Sequence, residues 1–190
     1  VRDTLLTNAL AHEFQRCRDA FGYYAYLHSL VLSGNNEKKV AIACYNAYSD
    51  FVAHLYEFYL GCIKSDGRFP KKVYGAGVDS ILNREVGKLL NIRRERILRG
   101  DAEPHENHIS YYEVEVPEEF GAQFRAVRNI RSHAMSERSN FDLANFYLKY
   151  HRFIYLLFVD PQWLWNIEQF PEHNWHAIEE FSKAITAKRP

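Results

Sequence analysis

The sequence has no net charge, little cysteine and no long apolar run, and each shortage closes off a class of protein. Its 24 Lys and Arg balance 24 Asp and Glu. It is therefore no polyelectrolyte binder of the histone kind, and any nucleic-acid contact must come from a local basic patch. The cysteines, at 17, 44 and 62, are odd in number and lack metal-ligand spacing. They read as buried or incidental thiols in a reducing compartment, which predicts a cytoplasmic location. No apolar stretch reaches the length of a membrane span and no signal-peptide pattern is present, so no membrane contact is expected. Internal repeats and low-complexity segments are also missing.

What is present is a large apolar and aromatic content. Hydrophobic residues make up 47% of the chain, with 13 Phe, 13 Tyr and 3 Trp, which excludes disorder. A chain of 190 residues suits one domain, or one domain with a small appendage. Apolar residues recur at three- and four-residue spacing over 3–32 (Leu6, Leu10, Phe14, Phe21, Tyr24, Leu27, Val31) and predict a long helix. Ser33-Gly34-Asn35-Asn36 is a stop and turn. A second helix over 37–64 carries Val40, Phe51, Leu55 and Phe58 inward, and the two together make an αα-hairpin. His54, inside the second apolar run, reads as a hydrogen-bonded core histidine rather than a ligand. Tyr45, Tyr48, Tyr56 and Tyr59 read as packing rather than as base-stacking platforms. His12-Glu13 and Arg16 read as a solvated face with local ion pairs.

Residues 65–77 are loop, punctuated by Gly67, Pro70, Gly75 and Gly77. A third helix follows over 78–98, with Ile81, Leu82, Val86, Leu89 and Leu90 inward. Its second half is basic, and Arg93, Arg94 and Arg96 are candidate contacts for an RNA backbone. The same cations could simply complement the helix C-terminus. Residues 100–116 have no helical period, and Tyr111–Val116 alternates like a brief strand or extended arm. His105 and His108 give a weak metal-type pair without a partner set of cysteines or carboxylates, and no metal site is assigned. Pro117-Glu118-Glu119 opens a further helix whose buried stripe is Phe120, Phe124 and Val127. A last bundle helix runs from about 139–142 to Phe158, ended or kinked by Asp160-Pro161. The fold class expected is all-α, a bundle of five to six helices over 1–160. An aromatic-rich tail over 161–190 contains a short helix near 173–187, packing on the bundle or on a dimer partner.

The chemistry concentrates in FRAVRNIRSHAMSERSN, residues 124–140, where Arg125, Arg128, Arg131 and Arg138 surround His133. Guanidinium is a permanent cation that forks onto phosphate oxygens, and imidazole exchanges a proton near neutral pH. That combination suits work on a phosphodiester. Residues 128 and 133 lie roughly 140° apart on an ideal helix. They can meet one phosphate only if the helix ends between them or if two chains contribute. Arg99 and His105 make a second, looser Arg-to-His match, but it runs through Gly100 and Pro104 in a loop.

Arg128-Asn129 followed by His133 resembles the Arg-Asn-x-x-x-His motif of the HEPN superfamily, with helical context over roughly 76–160. The resemblance implies an all-helical, homodimeric domain with its site at the interface. It also implies a metal-independent endoribonuclease, without cofactor, that cuts single-stranded RNA to 2′,3′-cyclic phosphate and 5′-OH ends. Defence or toxin systems, with an inhibitory or activating protein partner, are the implied setting. Arg128, Asn129 and His133 would then be catalytic: His133 moves the proton, Arg128 stabilises charge on the phosphorus, and Asn129 orients the pair or bonds the phosphate. Arg125, Arg131 and Arg138, with Arg93, Arg94 and Arg96, would bind RNA. Members partnered with a nucleotidyltransferase carry Tyr two residues after the motif His. Here Met135 stands at that position, so regulation through that tyrosine is not carried over. The alternative is a non-catalytic helical module that binds RNA, a nucleotide or a protein, with Arg128 and His133 as a structural pair.

Overall fold

The computed structural model describes residues 4–68, 73–132, 141–163 and 176–186. Six α-helices form within them: α1 (Thr4–Leu32), α2 (Lys38–Ser65), α3 (Ala76–Arg99), α4 (Phe120–Ser132), α5 (Leu143–Val159) and α6 (His176–Thr186). Short 3-10 turns occupy Ile109–Tyr111 and Asp160–Trp163. The chain is thus an all-α bundle, as its periodicity predicts.

Of the two readings of Tyr111–Val116, brief strand or extended arm, the structure has the arm, and no strand occurs among the described residues. The alternation is nevertheless real. Tyr112 is buried, Val114 and Val116 pack against the core, and Glu113 and Glu115 are exposed. One face of an extended segment is covered by the helices, but among the described residues no second strand lies beside it to complete a ladder.

α1 and α2 form an antiparallel hairpin. Gly34, at φ 87°, takes the left-handed turn that ends α1, and Asn35 N–H returns to the Leu30 carbonyl at 3.0 Å. The seam is aromatic and runs in opposite order along the two helices: Phe14 on Phe58, Phe21 on Phe51 and Tyr24 on Tyr48, with ring centroids 4.8–5.0 Å apart. Phe158 of α5 closes the seam against Phe21 and Phe51. On the other side Phe124 of α4 meets Tyr56 of α2, and Phe120 packs on Tyr150 and Phe153 of α5. Rings that bury large area with fixed geometry explain how so few helices make one continuous core. Tyr48 and Tyr56 are core residues, and Tyr59 donates to the Leu157 carbonyl at 2.8 Å. Of the four α2 tyrosines named above, Tyr45 is the exposed one.

α3 and α4 touch backbone to backbone. A Cβ added at Gly121 would lie 2.5 Å from the Cα of Asp79 and 2.7 Å from its carbonyl carbon. Beside this contact Asn83 of α3 caps α4 from outside. Its Oδ1 accepts from Gly121 N–H at 2.8 Å, and its Nδ2 donates to the Glu118 carbonyl at 2.7 Å. The start of α4 is therefore fixed by a neighbouring helix, with Phe120 N–H also returning to the Pro117 carbonyl. Pro117–Glu119 form the turn before the helix rather than its first turn.

Where α1, α2 and α5 meet, His151 is enclosed by aromatic rings. The Tyr48 hydroxyl shares a hydrogen bond with its Nδ1 at 3.2 Å, Tyr147 stacks on it at 4.5 Å, and Tyr24 and Tyr155 flank it. Burial, and then the neighbouring His28, push its pKa down to about 4. Above about pH 6.5 the ring is neutral both folded and unfolded, and this stabilisation is fully present. As pH falls from there toward 4 the unfolded chain takes up a proton that the folded chain refuses, and stability is lost. We expect about 2 kcal/mol to disappear across that interval, after allowance for partial solvent access. Urea unfolding at stepped pH checks this: His151→Gln should flatten the slope between pH 6.5 and 4.5, above the range of ordinary carboxylates. An unchanged slope would contradict it.

Candidate functional site: a polar stripe on α2 between α1 and α4

α2 is buried nearly all round through its second half, and one solvent-facing stripe is the exception. Asp50, His54 and Glu57 stand at i, i+4 and i+7, so they share that stripe. α1 borders it on one side and α4 on the other. From α4, Arg131 Nε donates to Asp50 at 2.6 Å, and Arg128 Nε donates to Glu57. Arg128 Nη1 also donates to the Asn129 side-chain carbonyl at 3.0 Å. From α1, Glu13 accepts from His54 Nδ1 at 2.7 Å, with Arg16 at 3.4 Å from the same carboxylate. Burial raises the Glu13 carboxyl, but the His54 bond and the charges of His54 and Arg16 outweigh it and hold the group below its ordinary value. His12, beside it, is pushed down by burial and by Arg16.

The stripe is accessible. Arg128 and Glu57 retain 34% and 36% of their side-chain exposure, and Arg131 and Asp50 retain 40% each. Pairs this exposed add little to stability, so their value lies in fixing where two cations sit on the surface. The geometry can hold an anion: two guanidiniums one turn apart on α4, each gripped from beneath by a carboxylate, with a carboxylate-bound imidazole one turn along α2.

The remaining sequence candidates divide. Arg128 and Asn129 are brought together. Arg131 shares the stripe with Arg128. Arg125 is drawn off it, forming a two-pronged pair with Asp79 of α3 at 2.9–3.3 Å beside the Gly121 contact. Asp79 is buried, so this pair is a strut between α3 and α4. Arg93 and Arg96 hold the 100–116 segment. Arg93 donates to Glu106 at 2.7 Å, while Tyr112 donates to the other oxygen of the same carboxylate. Arg96 reaches Glu103 and the Asp101 carbonyl at 3.2 Å. Arg94 bonds Asn91 and lines a cleft of about 420 Å³ with Arg84, Asn83, Glu115 and Glu118. His108 accepts from Ser110 N–H as a cap of the 3-10 turn. His133 and Arg138 lie outside the described residues.

Glu57, Asp50 and the Glu13–His54 bond are the members that motif reading missed. The signal was available: Asp50, His54 and Glu57 stand at helical spacing between the lysines at the two ends of α2. Comparison of the chain with protein-family models, with curated proteins and with solved structures returned no significant match to any of the three.

Proposed function

We propose that the protein is a metal-independent endoribonuclease of HEPN type acting on single-stranded RNA, with Arg128, Asn129 and His133 as its catalytic residues. The observation that carries this reading is the placement of Arg128. It stands on α4 five residues before His133, 34% exposed, with its guanidinium held by Glu57 and by the adjacent Asn129. A guanidinium fixed in this way can bond a phosphate oxygen without first losing freedom, which is what electrostatic stabilisation of a pentavalent phosphorus requires. The ribose 2′-oxygen attacks the phosphorus and the bond to the 5′-oxygen breaks, leaving a 2′,3′-cyclic phosphate and a 5′-OH. A backbone free to bend in line favours single strands. A two-fold dimer with the sites at its interface would place two such arrangements near one axis. Cytoplasmic location, and an inhibitory or activating protein partner, complete the proposal.

One observation favours a second reading. Arg125, Arg128 and Arg131 each bond a carboxylate of the same chain, as a scaffold or binding module without turnover would have them. No helix among the described residues is long and apolar enough to cross a membrane. Incubation of mixed-sequence single-stranded RNA in EDTA with wild type and His133→Ala, followed by analysis of product ends, separates the readings. Cyclic-phosphate ends from wild type alone support the ribonuclease. Intact RNA with both folded proteins contradicts it, and RNA retention on a filter would then identify the binding module.

A further inference from the structure

The arm at 113–116 is packed on the core along one face and left open along its backbone. Val114 and Val116 pack inward, while Glu113 and Glu115 are exposed. Among the described residues, no N–H or C=O group from Glu113 to Val116 forms a hydrogen bond. Tyr112 N–H before them and Phe120 N–H after them are both paired. A row of unpaired backbone groups held in extended form is a template for a further strand. Beside it lies the cleft of about 420 Å³, walled on one side by Val114, Glu115 and Val116 and on the other by Gly87, Leu90 and Arg94 of α3. The floor has room, since a Cβ added at Gly87 would meet nothing within 4 Å. We propose that this cleft docks an extended peptide segment of a protein partner, which adds to the arm as a second strand and carries Lys or Arg at alternate positions.

The chemistry of the occupant follows from what borders the arm. Alternate residues of an extended chain share a face, so the outward side chains of an added strand stand beside Glu113 and Glu115. Opposite charges at such cross-strand positions stabilise the pairing and like charges oppose it. The same rule disfavours a second copy of this chain. Two arms paired antiparallel about Val114, with both apolar faces inward, would set Glu113 of each opposite Glu115 of the other. Single-stranded RNA is disfavoured as well. Arg84 and Arg94 line the cleft, but Glu115 and Glu118 line it with them, and Glu113 adds a third exposed carboxylate on the arm. None of the α2 stripe residues lines this cleft, so the docking stands whether or not RNA is cleaved.

Exposed glutamates on a free edge also serve simply to keep it from pairing, so the test must detect a strand and not only a charge. The probe is a fluorescent heptapeptide of alternating Lys and Val, with a Glu–Val heptapeptide as control, each titrated with the whole chain by fluorescence polarisation. The Lys–Val peptide should bind with a Kd of about 100 μM or tighter, and the control roughly tenfold more weakly or worse. Glu113→Lys combined with Glu115→Lys should reverse that order. Both side chains are exposed, so this variant should melt with the wild type. Two further Lys–Val peptides, N-methylated on every Lys or on every Val, remove the donors of one edge or the other. At least one of them should lose roughly tenfold or more in affinity, and hydrogen exchange at residues 113–116 should slow when the parent peptide binds. No binding up to about 1 mM, equal affinity for the Lys and Glu peptides, or both N-methylated peptides binding like the parent overturns the proposal. Protection of 113–116 by single-stranded RNA in place of the peptide, or by raised protein concentration alone, overturns it in favour of an RNA track or of a second copy.

Discussion

Gly121→Ala is expected to unfold the protein far more easily than its size suggests, lowering stability by about 3 kcal/mol. The added methyl has nowhere to go. It meets the Asp79 backbone, not the end of a flexible side chain, so α3 and α4 must separate to admit it. Separation would lengthen the bonds from Asn83 to Gly121 and Glu118 and loosen the Arg125–Asp79 strut. Asp79 is buried, and a buried carboxylate that loses its cation costs more than the pair contributes when intact. A helix-propensity argument alone predicts the opposite sign, since Ala is the better helix former by about 1 kcal/mol. Urea denaturation decides between them: a midpoint equal to or above wild type would show that the helices can part at little cost.

Arg128→Ala carries the largest expected effect on activity, a fall of roughly 10²- to 10³-fold in the cleavage step. The fold should survive. Arg128 and Glu57 are each about one-third exposed, so the carboxylate left behind is solvated, and the loss of stability should stay below about 1 kcal/mol. Arg128→Lys should not restore activity, because an ammonium cannot bond Glu57, Asn129 and a phosphate through one planar fork. Single-turnover rates set beside melting temperatures check this separation of chemistry from stability.

Much of the fold was legible in the sequence because helix periodicity is a local signal. The hairpin of α1 and α2, the break at Ser33–Asn36, and the span of α5 up to Asp160-Pro161 all follow from apolar spacing and breakers. The segment at Tyr111–Val116 stayed open between strand and extended arm because alternation reports a half-buried extended chain, whether or not a second strand lies beside it. The site was legible only in part. Arg128-Asn129 is a contiguous motif, but Glu57, Asp50 and Glu13 sit 41 to 81 positions from the residues they bond. Nothing local in the sequence states those pairings. Arg125 shows the limit best. In a run of four arginines it looks like its neighbours, yet one turn of helix decides that it faces Asp79 rather than the stripe. The basic half of α3 is similar, since Arg93 and Arg96 bind the acidic segment that follows them.

The central claim is that Arg128 acts on RNA whereas Arg125 holds α3 to α4. The most direct measurement pairs melting temperature with single-strand RNA cleavage in EDTA for wild type, Arg125→Ala and Arg128→Ala, at a temperature where all three are folded. The account predicts that Arg125→Ala melts clearly lower but still yields cyclic-phosphate ends. Arg128→Ala should melt near wild type and yield almost none. Arg128→Ala cleaving at the wild-type rate would contradict it.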